Sequence, residues 1–141
     1  MRLHIVARGR IGRSPEAELV DRYLKRISWP VLVTELPDTG PGKLPDLIGT
    51  PIDIVLDERG KALESRDFAG RLGRWRDDGV REARFWIGAA DGHDAALRDR
   101  ATLLLSFGPA TWPHMLARAM LAEQLYRATA ILAGHPYHRE G

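Results

Sequence analysis

Ile52-Asp53-Ile54-Val55-Leu56-Asp57 is the stretch on which the fold turns. It is more apolar than alternating, as expected of a central strand in a parallel sheet covered on both faces. Upstream lies a Pro- and Gly-rich loop, residues 37–51, with at most one helical turn around 44–48. Before it, residues 30–36 read as a second strand and residues 2–7 as a first. The first strand ends at Gly9 and Gly12, and Ser14-Pro15 opens a helix, with the hydroxyl as N-cap and proline in the first turn. Leu19, Val20, Tyr23, Leu24 and Ile27 share one face of that helix.

Downstream, Gly60 should end the third strand, and Ser65 should start a helix carrying Phe68, Leu72 and Trp75. Residues 83–88 form a fourth strand, followed by the loop Ala89-Ala90-Asp91-Gly92-His93 and a short helix from about Asp94. Residues 102–107 are a fifth strand, and a helix over about 115–133 closes the chain. Strands alternating with helices predict one α/β domain over residues 1–141, an open and mostly parallel sheet flanked by helices. Ligands in such sheets sit beyond the carboxyl ends of the strands, which here means the loops after Asp57, Gly88 and Phe107.

Composition narrows the chemistry. Of 141 residues, 44% are hydrophobic and 28% charged, a globular balance. The absence of cysteine excludes disulfides, thiolate nucleophiles and Cys-based metal sites. No apolar run reaches the roughly 18–20 residues that span a bilayer, and the N-terminus lacks a signal-peptide core, so the expectation is a cytoplasmic protein without a membrane partner. A net charge of +2, scattered along the chain, argues against binding nucleic acid by bulk electrostatics. Arg8-Gly9-Arg10-Ile11-Gly12-Arg13 reads either as a local phosphate contact or as a solvated loop.

Two irregular segments bracket the last helix. In Phe107-Gly108-Pro109-Ala110-Thr111-Trp112-Pro113-His114, the prolines and glycine deny backbone groups to helix or sheet. Those groups suit a ligand with amide-like edges such as adenine, or else a plain connection. Leu56, Gly88 and Ala89 would border the same crevice, giving the small apolar pocket typical of a cofactor site. In the tail, His135-Pro136-Tyr137-His138-Arg139-Glu140, proline forbids the helical spacing a His pair would need to chelate, and no third ligand is apparent. No metal is expected. Imidazole titrates near neutrality and arginine grips phosphate, so His114, Tyr137, His138 and Arg139 are better read as base, hydrogen-bonding groups and anion contact. The broad apolar set of the last helix, Leu116, Met120, Leu121, Leu125, Ala128 and Leu132, is core with room for a dimer contact.

Thr111-Trp112-Pro113-His114, Ala122-Glu123-Gln124-Leu125-Tyr126-Arg127-Ala128 and His135-Pro136-Tyr137-His138-Arg139-Glu140 closely resemble the large-subunit ribosomal RNA methyltransferase H family. The start Leu3-His4-Ile5-Val6-Ala7, the strand Ile54-Val55-Leu56-Asp57 and the Ile87-Gly88 turn fit in the same order. The resemblance implies a SPOUT-type fold with a C-terminal trefoil knot. It implies a homodimer that uses S-adenosyl-L-methionine to methylate N3 of a pseudouridine in 23S rRNA on the assembled ribosome, with no DNA partner. By the same resemblance Leu56, Gly88, Ala89, Phe107, Gly108, Pro109, Ala110, Thr111, Trp112 and Pro113 bind the cofactor. His114, Tyr137, His138 and Arg139 are the catalytic, substrate-facing candidates. The rival readings are a SPOUT enzyme with another RNA target and a non-catalytic ribosome-binding module. Ala89 and Trp112 depart from the family pattern, which usually has a second glycine at the first position and a different apolar side chain at the second.

Overall fold

The computed structural model describes residues 1–88 and 94–139. In chain order these form β1 (Arg2–Arg8), α1 (Pro15–Leu24), β2 (Val31–Leu36), β3 (Ile52–Ala62), α2 (Ser65–Asp77), β4 (Glu82–Ile87), α3 (Ala95–Arg100), β5 (Leu103–Ser106) and α4 (His114–Leu132). The strands lie in the order β2-β1-β4-β3-β5 and every pairing is parallel. All five therefore end on one edge of the sheet. Ser14 caps α1 by accepting the Ala17 N–H at 3.0 Å, with Pro15 in the first turn.

Alternation along the strands sorts the core onto two faces. Leu3, Ile5, Ile54, Phe85 and Leu105 point to the side covered by α1, α2 and α4, where Leu72, Leu121 and Leu125 complete the main cluster. Val6, Val55 and Trp86 point the other way, beneath Leu97 of α3 and Leu44 of the 37–51 loop. That second face also holds a buried carboxylate. Asp53 accepts from Arg84 Nε and Trp86 Nε1, both at 2.8 Å, which satisfies a charge that burial would otherwise penalise.

One expectation changes. Gly60 does not end β3: the strand runs on to Ala62, and after an irregularity between Leu56 and Lys61 it pairs Lys61 with Leu105. The glycine is needed for proximity, because a Cβ there would lie 2.6 Å from the Leu104 carbonyl. The apolar set of α4 is first of all core, as expected. Its residues are all buried or half-buried: Leu121 and Leu125 face the sheet, Ala119 and Ala122 pack on Val20 of α1, and Leu132 closes on Gly73 of α2. Leu116 and Met120 stay half-buried.

Candidate active site

β3, β4 and β5 end side by side, with Val55 opposite Trp86 and Leu56 opposite Leu105. Beyond them opens a cleft of about 750 Å³. Its apolar wall is Leu56, Ile87, Leu105 and Phe107, and its mouth is formed by Gly88, Gly108, Ala110, Thr111, Trp112, Pro113 and His114. Eight of the ten expected cofactor residues thus meet here. Pro109 lies on the same loop without lining the cleft, and Ala89 falls outside the described residues.

The loop between β5 and α4 is built for this position. Gly108 adopts φ +106°, a backbone region that a side chain would resist. Its N–H donates to the buried Ser106 hydroxyl at 3.0 Å, and that hydroxyl lies 2.8 Å from the Gly108 carbonyl. Thr111 Oγ1 donates to Glu58 at 2.7 Å, tying the loop to the far end of β3. Trp112, 43% exposed, donates from Nε1 to the Phe107 carbonyl at 3.4 Å. Among the described residues, the N–H groups of Ala110, Thr111 and Trp112 have no protein partner. Three free donors above an apolar wall suit a flat, edge-polar guest such as adenine. Asp57 and Glu58 add carboxylates at the same mouth, Asp57 being held by Arg59 at 3.2 Å and Arg98 at 3.6 Å.

His114, the first residue of α4, stands half-buried at this mouth, and its ring makes no hydrogen bond among the described residues. The tail lies elsewhere. Gly134 turns the chain at φ +72°, with its N–H on the Ile131 carbonyl and the His135 N–H on that of Ala130, a Schellman closure. The tail then folds back onto the second half of α4. The Tyr137 hydroxyl donates to Glu123 at 3.2 Å, and Arg127 donates to His138 Nδ1 at 3.0 Å while pairing with Glu123 at 2.5 Å. Tyr137 also packs against Tyr126, ring centres 4.6 Å apart. Burial, reinforced by the Glu123 charge, pushes the Tyr137 phenol up to about 12, so it remains a donor at neutral pH. Arg139 is exposed.

Within one chain, then, His114 is not beside Tyr137 and His138. Glu123 and Arg127 lie 9 and 13 residues farther along α4 than His114, roughly 14–20 Å at 1.5 Å per residue. The tail's partners were visible in the sequence only as an i,i+4 acid–base pair on a mostly apolar helix. Arg118 gave less away. It is 1% exposed, and its guanidinium donates to Glu35 at 2.5 Å and to the Gly9 carbonyl at 3.0 Å.

A family model described as "Predicted SPOUT methyltransferase" matches residues 1–138. Proteins named "Ribosomal RNA large subunit methyltransferase H" are similar over the whole chain. That of Novosphingobium aromaticivorans is 71% identical over 142 residues, covering 100% of both chains. That of Rhizorhabdus wittichii is 69% identical over 141 residues, again covering 100% of both, and that of Zymomonas mobilis 59% over 142 with the same coverage. Among solved structures, a probable methylase family protein from Haemophilus influenzae superposes with a TM-score of 0.60 at 11% identity, covering 99% of this chain and 70% of that one. The last likeness speaks to the fold alone.

Proposed function

The chain belongs to the SPOUT methyltransferase family, and from that premise we propose that it methylates N3 of a pseudouridine in 23S rRNA on the assembled ribosome, with S-adenosyl-L-methionine as methyl donor. One observation carries the reading: three parallel strand ends converge on an apolar cleft whose rim offers three unpaired N–H groups. Bound there, the cofactor would supply an electrophilic sulfonium methyl. Leu56, Leu105 and Phe107 would flank its adenine, and the N–H groups of residues 110–112 would meet the ring's polar edge.

The chain's own task is placement and proton removal. Holding reactants in line lowers a barrier by up to about 7–11 kcal/mol in favourable cases. N3 of the target ring carries a proton that must leave before the nitrogen can accept a methyl group. His114 is the proposed acceptor, directly or through water, because its ring is free at the cleft mouth. His138 has Nδ1 occupied by Arg127, which leaves the proton of the neutral ring on Nε2. We assign the tail to the partner of a homodimer: Tyr137 and His138 held by Glu123 and Arg127, Arg139 gripping an RNA phosphate or the developing ring oxygen. The same reading carries the family's trefoil knot, supported by the return of the chain from edge strand β5 to α4, packed against α1. It also carries a cytoplasmic location, consistent with the finding that no helix among the described residues is long and apolar enough to cross a membrane.

Nucleoside mass spectrometry of rRNA from a strain lacking the gene tests this. The N3-methyl group should vanish, return with the wild-type gene, and return about 100-fold more slowly with His114→Ala. Loss of a methyl group at another nucleotide would redirect the target. If no nucleotide changes and the dimer does not bind S-adenosyl-L-methionine even with ribosomes present, the chain is a binding module.

A further inference from the structure

The β1–α1 loop, Gly9 to Arg13, belongs to no part of the cleft, yet a guanidinium only 1% exposed, that of Arg118, is directed at it. Arg118 sits four residues after His114, on the same stripe of α4. From there its guanidinium reaches the Gly9 carbonyl at 3.0 Å and Glu35 at 2.5 Å. The same Glu35 oxygen accepts the Ile11 N–H at 2.8 Å, so one carboxylate ties both loop and guanidinium. Gly9 and Gly12 take positive φ, +86° and +59°, and a Cβ on Gly9 would sit 2.7 Å from Asp38 Oδ1 and 3.7 Å from Met115 Cε. The loop is therefore pinned against the first turn of the helix that carries His114. It also stands on the strand edge where the cleft opens, since Ala7 pairs with Ile87.

What this loop presents is Arg10 and Arg13, both exposed and neither in an ion pair among the described residues, with Arg10 close enough to Glu35 to help hold that carboxyl down. Glu16 and Glu18 follow in the first turn of α1 and form no ion pair with them among the described residues. Arg8, by contrast, is spent holding the carbonyls of Pro37 and Gly40. Two unpaired guanidiniums on a loop held by a buried latch, beside the proposed acceptor of the substrate proton, suit an extended polyanion better than a small anion. We propose that this loop is a docking ledge for the phosphate backbone of the RNA substrate, and that Arg118 is the positioning residue that sets it. The inference rests on the RNA-methylating reading above.

The experiment uses full-length dimer and large ribosomal subunits isolated from the deletion strain. Arg10→Ala/Arg13→Ala should raise KM for subunits about tenfold, leave kcat within twofold, leave S-adenosyl-L-methionine affinity unchanged, and reduce the log–log salt slope of binding by roughly two. Arg118→Met should shift KM in the same direction, with partial rescue by Arg118→Lys; if it does not fold, the double variant decides. Unchanged KM and salt slope in the double variant overturn the ledge. If the wild-type protein methylates nothing, the functional reading fails separately, and sedimentation of wild type and double variant with subunits still judges the ledge: equal binding overturns it.

Discussion

Arg118 keeps 1% of its surface in water, and the one carboxylate within ion-pair reach among the described residues is that of Glu35. The two partners are not equivalent. Glu35→Ala leaves a buried cation uncompensated, a loss of about 3–5 kcal/mol. Arg118→Met leaves a carboxylate that is one third exposed and still bonded to the Ile11 N–H, so it should cost less. Urea unfolding of the two variants checks the order. Burial tends to raise the Glu35 carboxyl, but the Ile11 N–H and the Arg118 guanidinium outweigh it and hold the group below its usual 4.5. Because the folded state binds this proton less tightly than the unfolded one, the contribution is complete above about pH 4.5 and is lost as pH falls through the folded value. The stability gap between wild type and Glu35→Gln should therefore narrow as pH falls below about 4.5; a constant gap would refute the assignment. Nothing in the sequence marked Arg118, since one arginine among apolar helix residues reads as a solvated position until the fold shows what faces it. Leu56, Gly88 and Thr111 were legible because strand ends and proline-bounded loops place their residues without long-range information.

At the scale of elements, β3 shows how a local rule fails. Glycine is a strand breaker by propensity, yet Gly60 lies inside β3 because two backbones cross there without room for a Cβ. Gly60→Ala should cost about 1–3 kcal/mol by overpacking against the Leu104 carbonyl. It should also weaken cofactor binding, because β5 feeds directly into Phe107 and Gly108. Gly70, exposed in α2 with open space where a Cβ would stand, predicts the opposite. Gly70→Ala should stabilise by about 0.5–1 kcal/mol through helix propensity and a less disordered unfolded chain. Thermal melts of both variants, with cofactor titrations, separate the two cases; equal shifts would remove the steric account of β3. The other elements were readable because capping and periodicity agree with their packing, as with Ser14 and the Val20 face of α1. For α4 the core role was readable, while a dimer contact was left open, because a helix enclosed by a sheet and two helices carries the same apolar pattern as one that dimerises.

At the scale of the whole molecule, the two halves of the proposed site lie apart along α4, His114 at its start and the Glu123–Arg127 seat of the tail in its second half. A tail held on its own helix can still serve a cleft, provided that the cleft is another protomer's. In a C2 dimer each protomer then gives one tail and receives one. Co-expression of a chain ending after Gly134 with a Gly108→Val chain decides this, since neither alone should methylate. Gly108 at φ +106° resists a β-branched side chain, so that variant should lose cofactor binding, which titration confirms independently. If the site is shared, each mixed dimer pairs an intact cleft with an intact tail. Random pairing then restores about one quarter of wild-type activity, half the dimers being mixed with one working site of two. If tail and cleft act within one chain, every protomer carries a defect and activity stays at zero. Mass analysis of intact dimers guards the inference by showing that mixed dimers formed, so that silence in their presence counts against the shared site.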